Sequence, residues 1–385
     1  MRLLQGEKSG LFDFTFALNG LPIDGSGGTK IVIKLVNALH NRGIKVAVLV
    51  FPRSEWMKVL DADFQGFSSI SKLIQDLNDF PNLYRLTNPI LTRIRKGITG
   101  GSFINGVKIY NISYNHIPSS EFYVATNFIN ATELESLGIE KKKIILFSQI
   151  DETQELYSHN YAQKAESVYS DLTNKVFINR NVAERFPPAK VIPMAIDLDN
   201  FHLVNRIDQR NINSVIFSLR KGIQKDPDTA IGAINDLHRK MPDVQISAYG
   251  NLDPKDVPSF VNYFKSPTDR KLSELLNSNA IFCLTSRLEG YPLPPLEAMA
   301  CGCAVVSTDN IGIREYLING ENGVLVPPGK PLVVSESIIS LMTDKNRLRS
   351  IEENGLRTAL DHTYGRMIEK FLEATKCFKD ALKVA

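Results

Sequence analysis

Four ionisable side chains in the second half of the sequence stand where they could handle a phosphorylated sugar. Arg220 and Lys225 directly follow 214–219, an apolar run that reads as a strand. Glu289 follows a second such run, Ile281-Phe282-Cys283-Leu284, and Glu297 lies in the first turn of the helix behind it. Two fixed cations can balance the charge that builds on a leaving diphosphate when a sugar–phosphate bond breaks. An ionised carboxylate can accept two hydrogen bonds from a vicinal diol. A phosphate and a sugar diol bound side by side describe a nucleotide. Each residue alone has a plainer reading: Arg220 as a surface cation, Glu297 as a carboxylate complementing a helix dipole.

The elements that must position these groups can be read from 281–302, IFCLTSRLEGYPLPPLEAMACG. A buried parallel strand ends, and a turn carries Arg287, Glu289, Gly290 and Pro292. Pro294-Pro295 fits the first turn of a helix, where a missing N–H costs little. Leu296 to Cys301 are good helix formers, and Gly302 stops the helix. The helix N-terminus points back at the turn and offers N–H groups and a positive dipole to an anion. Ligands of open parallel sheets bind at the carboxyl ends of strands. One crevice can therefore gather Arg220, Lys225, Glu289, the helix start and Gly312, which follows the strand at 304–307.

This string resembles the E-x7-E motif of family-4 glycosyltransferases (glycosyl transferases group 1) of the GT-B fold, with Glu289 and Glu297 as its acids. Arg220 and Lys225 match the family's R-x4-K element in type and spacing. The resemblance implies that Arg220 and Lys225 bind the donor diphosphate, that Glu289 lies near the donor sugar, and that Glu297 holds the ribose. Leu293 and Gly312 fall on the donor side by the same likeness. It implies transfer with retention of configuration, the diphosphate itself taking the acceptor proton, so no side-chain base is required. No cofactor or metal is expected, since the site has its own cations. Pro292 departs from the family, which often has glycine there, and offers no N–H. The likeness is close over 191–360 and loose before that. VATNFINATEL and ILFSQIDETQ are partially similar to bacterial transferases that use dTDP-rhamnose.

The chain has 385 residues, which suggests two domains. Apolar content of 43% suits large cores, and a net charge of +3 gives no argument for nucleic acid. The four cysteines, Cys283, Cys301, Cys303 and Cys377, read as buried thiols in a reducing compartment. The N-terminus lacks the apolar core of a signal peptide, and no run approaches the ~20 apolar residues of a membrane span. A cytoplasmic protein, or one peripheral on the inner face of the membrane, is expected. The basic stretch Arg93-Ile94-Arg95-Lys96 is either a membrane or acceptor contact or, more simply, a solvated face.

The first half opens with a strand over 12–18, a glycine loop PIDGSGGT, a helix over 30–41 and a strand over 45–51. The loop fits neither a dinucleotide fingerprint nor a P-loop. It is similar to the family's glycine loop, which implies a donor-binding role for Gly27 and Gly28, against a plain strand–helix turn. His116 follows a further strand, 107–114, where relatives often carry a histidine facing the donor sugar; a structural histidine competes. Strand–helix alternation restarts at 214.

The architecture expected is therefore α/β, with two Rossmann-like domains facing across a cleft. They are 1–196 on the acceptor side and 197–365 on the donor side, with a helix over 366–385 crossing back to the first. The expected partners are a nucleotide-sugar donor and a hydroxyl acceptor on a glycan, a lipid-linked sugar or another molecule. Epimerases, phosphorylases and non-catalytic nucleotide-sugar binders share such a fold and stay open as alternatives.

Overall fold

The computed structural model describes residues 11–19, 27–51, 107–111, 117–154 and 159–384. Contacts divide the chain into two compact units. The first comprises Met1–Phe177, Phe186–Lys190 and Ala374–Ala385; the second comprises Ile178–Arg185 and Val191–Glu373. Residues 178–185 and 191–196 thus group with the second unit, on the far side of the 196/197 boundary drawn from sequence.

The first unit is built on β1 (Phe12–Asn19), α1 (Gly27–Asn41), β2 (Val46–Phe51) and β3 (Lys108–Asn111). It continues through β4 (Ser120–Ala125), α2 (Phe128–Ser136), β5 (Ile144–Ser148), α3 (His159–Asp171) and β6 (Lys175–Phe177). After α4 (Arg180–Arg185), β7 (Lys190–Val191) closes the sheet order β3-β2-β1-β4-β5-β6-β7. Pairs from β3 through β6 are parallel, as the near-continuous apolar strands require of a sheet covered on both faces. Ile31, Val32, Leu35, Val36 and Leu39 form the buried stripe of α1. Asn127 caps α2 by accepting from the Asn130 N–H.

The second unit begins at β8 (Ser214–Leu219) and runs α5 (Pro227–Lys240), β9 (Gln245–Gly250), β10 (Asn262–Lys265), α6 (Asp269–Asn277) and β11 (Ile281–Leu284). It continues with α7 (Leu293–Ala300), β12 (Ala304–Thr308), β13 (Val324–Val326), α8 (Pro331–Thr343), α9 (Lys345–Leu360) and α10 (Tyr364–Val384). Its sheet order is β10-β9-β8-β11-β12-β13, parallel throughout. Val215, Phe217, Ile246, Ile281, Cys283, Val306, Ile234 and Ile338 form the centre of its core.

Both sheets reverse their winding next to their first strand, at β1/β4 and at β8/β11. Each is the sheet of a Rossmann-like α/β domain. Helix α10 spans the partition, its residues from Ala374 onward grouping with the first unit. One element differs from the sequence reading. The strand β10 has no counterpart there, because it is a four-residue edge strand with exposed polar ends. After Gly312 the chain makes a single 3-10 turn, Ile313–Glu315.

Candidate active site

Two loops at the β8/β11 switch point carry the charged groups. The chain leaves β8 at Leu219, passes Arg220, and turns at Gly222 (φ +117°), where the Gly222 carbonyl accepts from the Lys225 N–H at 3.0 Å. Gly250, at the end of the neighbouring β9, lets this exit pass close by. A Cβ there would stand 1.6 Å from the Leu219 carbonyl oxygen. The following Asn251 side chain accepts from the Lys221 N–H at 2.7 Å.

Lys225 Nζ donates to both oxygens of Glu289, each at 2.8 Å, although the two residues lie 64 apart in sequence. Both side chains are mostly buried, at 27% and 16% exposure. A pair held this evenly from two loops is worth more than a surface pair. The loops are also stitched by backbone. The Gln224 carbonyl accepts from the Arg287 N–H at 2.8 Å and from the Leu288 N–H at 3.4 Å. Arg220 is exposed and has no hydrogen-bond or ion-pair partner among the described residues.

Asp226, next to Lys225, is a non-glycine residue in the left-handed region (φ +46°), a conformation costing ~1–2 kcal/mol. Its carboxylate, 6% exposed, accepts from the Thr229 N–H at 3.3 Å, the Thr229 hydroxyl at 2.8 Å and Arg287 Nε at 2.7 Å. It thereby caps α5.

Past Glu289 the chain enters α7, with Pro292 as its N-cap and Leu293, Pro294 and Pro295 as its first turn. Three of these four positions have no N–H. The amide supply expected of this helix start therefore shrinks to Leu293, and the dipole and side-chain cations carry more of any anion's charge. Glu297 lies one turn on, past the first turn in which the sequence placed it because the helix already starts at Leu293, and is half-buried. Its charge and that of Arg220 act on Tyr249 in opposite senses, while burial pushes that phenol well up.

Gly312 supports the loop by close packing: a Cβ there would meet the Glu289 carbonyl oxygen at 2.4 Å and the Gly290 carbonyl at 2.7 Å. Its φ of −71° is ordinary, so space alone demands glycine. Behind the loop, Asn179 donates to the Gly290 carbonyl at 3.3 Å, and Tyr316 donates to the Pro292 carbonyl. His362 Nδ1 meets the Thr358 carbonyl at 2.7 Å, which can only accept. Nε2 is then the acceptor for the Tyr291 hydroxyl at 2.8 Å, and burial lowers the His362 pKa in keeping with this neutral form.

Of the residues singled out in sequence, Arg220, Lys225, Glu289 and Gly312 lie in loops or turns after strands of the second unit's sheet, and Leu293 and Glu297 lie on α7. Gly27 and Gly28 belong to the first unit and are the opening residues of α1, the helix beginning three residues earlier than 30–41 implied. His116 and the 93–96 basic stretch lie outside the described residues. Cys283, Cys301 and Cys303 are buried, but Cys377 on α10 is exposed, contrary to expectation. Sequence reasoning gave no role to Asp226, Tyr249, Tyr316 or Arg287. Only Asp226 had a local signal, an Asp-Pro pair at a helix start.

Residues 208–358 match a family described as Glycosyl transferases group 1. The chain is a glycosyltransferase of the GT-B fold. A probable sucrose-phosphate synthase of Thermosipho melanesiensis is 27% identical to the transferase over 396 aligned positions, covering 90% of each chain. Two solved structures share its fold. The sucrose-phosphate synthase of Thermosynechococcus elongatus has a TM-score of 0.66 at 13% identity, covering 97% of this chain and 100% of that one. An Anabaena protein in complex with UDP-glucose has a TM-score of 0.65 at 14% identity, covering 95% of this chain and 99% of that one. No helix among the described residues is long and apolar enough to cross a membrane.

Proposed function

We propose that the transferase moves a sugar, with retention of configuration, from a nucleotide diphosphate sugar to a hydroxyl of a glycan, lipid-linked or other acceptor. The observation that carries this reading is the Lys225–Glu289 pair at the switch point, with the exposed Arg220 guanidinium, unpaired among the described residues, following the adjacent strand end. Lys225 and Arg220 stabilise the leaving diphosphate, and the Leu293 N–H adds one donor to it. Glu289 fixes Lys225 and faces the donor sugar; Glu297 holds the ribose diol. Donor binding on the first domain is assigned to Gly27 and Gly28, with His116 toward the sugar. Since cations of the chain balance the charge, the reaction runs without a metal. A uridine donor is the first candidate, from the UDP-glucose seated in the Anabaena protein of the same fold. A place in polysaccharide or glycoconjugate synthesis, at or near the inner membrane face, follows from acceptors of this kind.

Melting curves with UDP-glucose, UDP-N-acetylglucosamine, GDP-mannose and dTDP-rhamnose test the reading. A donor at 100 times its Kd should add ~2.7 kcal/mol to native stability. That donor should then release its nucleoside diphosphate in the presence of acceptor and leave a glycoside of unchanged anomeric configuration. Isomerisation of the donor would make the chain an epimerase, and a strict need for inorganic phosphate would make it a phosphorylase. Binding without any turnover would leave only a nucleotide-sugar binder.

A further inference from the structure

We infer that Arg287, through Asp226, is a positioning residue that sets Lys225 against Glu289. This rests on the function proposed above, because the brace acts only through Lys225. The side chain and backbone of Arg287 grip the lysine from both sides in sequence. Its N–H donates to the carbonyl of Gln224, the residue before Lys225, at 2.8 Å. Its Nε donates to the carboxylate of Asp226, the residue after Lys225, at 2.7 Å. The Thr285 hydroxyl adds a bond to the Asp226 carbonyl at 3.1 Å. Glu289 follows Arg287 by two residues, so the two loops meet in two ion pairs of opposite polarity, Lys225 to Glu289 and Arg287 to Asp226.

The burial of the two partners explains the direction of the device. Asp226 is buried and held in a left-handed conformation that glycine would adopt more easily. A buried carboxylate must be paired to be tolerated. Capping of α5 uses its interactions with Thr229, and the remaining charged partner is Arg287. Arg287 is 55% exposed, so the pair adds little to stability by itself. Its guanidinium lies along the turn at Gly329 (φ +70°), where a Cβ would come within 3.2 Å of Nη2. What the pair does supply is a fixed register between the loop of the lysine and the loop of the glutamate.

The test uses the full chain and release of UDP from UDP-glucose. Lys225→Ala sets the reference loss. Asp226→Gly removes the brace while relieving the backbone, and glycine is a tolerable N-cap. It should melt within a few degrees of the wild type yet lose on the order of 10-fold to 100-fold in kcat, the scale of a misplaced catalytic group. Arg287→Ala should do the same, and Arg287→Lys should recover part of the rate. In the Lys225→Ala background, Arg287→Ala should cost at most about twofold more, since the two act as one unit. Wild-type kcat in Asp226→Gly would overturn the brace. So would an Arg287→Ala loss of equal size in both backgrounds, which would mean that Arg287 acts on its own. Full activity in Lys225→Ala would overturn the proposed function itself, and the brace with it.

Discussion

Glu289 and Glu152 both follow strands beyond the switch points of their sheets, Glu289 the strand bordering the switch and Glu152 the strand one farther out, and are treated in opposite ways. Each follows a parallel strand of the half-sheet that begins at the switch point, Glu289 after β11 and Glu152 after β5. Glu289 is met by a lysine that touches both of its oxygens. Among the described residues Glu152, 2% exposed, is met by neutral donors: the Phe128 N–H at 3.0 Å, the Tyr169 hydroxyl at 3.0 Å and the Tyr161 hydroxyl at 3.1 Å. Burial pushes its pKa up to about 7 against the pull of those three bonds. One carboxylate is thus arranged as half of an ion pair, the other as a hydrogen-bonded structural group. The same topology can host either, and the identity of the facing side chain decides.

If the pair at β8/β11 is the working site, the largest effects come from its cations. Lys225→Ala and Arg220→Ala should each lower turnover by on the order of 100-fold or more at unchanged melting temperature. Near-normal steady-state rates in both would remove the functional side of the contrast.

Next in size are the two acids of the second domain. On the proposed roles, Glu289→Gln keeps volume but loses charge beside the transferring sugar, and should act mainly on kcat, by on the order of 10-fold or more. Glu297→Gln should raise KM for the donor more than it lowers kcat, because a ribose contact is equal in ground and transition states. A reversed split in the kinetics would exchange their roles.

Glu152 supplies a smaller effect with a definite sign. Between the ordinary carboxylate pKa and about 7, the folded chain keeps this proton and the unfolded chain has lost it. Stability therefore falls as pH rises through that window, with the loss complete above it. Glu352, on α9 and also pushed up to about 7 by burial, titrates in the same range, so wild type alone cannot assign the slope. Urea unfolding of Glu152→Gln from about pH 5 to about pH 8 should show a flatter profile than wild type, the difference amounting to a few kcal/mol at most. Equal slopes would mean that Glu152 is not the titrating group. Turnover at fixed pH should change little in this variant.

The smallest expected effect is that of metal removal. With Arg220 and Lys225 in place, EDTA should leave the rate within about twofold of the untreated chain. Loss of activity restored by Mg²⁺ or Mn²⁺ would mean that these cations do not suffice.

Strand–helix alternation was legible in the second half because its strands are apolar runs of four to six residues bounded by turns. Edge strand β10 was not, since one exposed edge leaves only Tyr263 and Phe264 partly covered. Prolines 294 and 295 were readable as a helix start and Pro292 as part of the turn before it. Their joint consequence, a helix start with Leu293 as its amide donor, needed the observed N-cap position.

Local sequence determined which residues could carry charge, which turns needed glycine, and where α7 begins, because capping, φ restriction and apolar periodicity act within a few residues of the chain. It placed Lys225 and Glu289 at one crevice but not in contact. That the two meet, that Arg287 reaches Asp226, and that Gly312 backs the Glu289 carbonyl were decided only by the fold. Those contacts join residues 64, 61 and 23 apart. The winding reversal at β8/β11 brings their loops together, and no local preference of the chain encodes a distance across two strands.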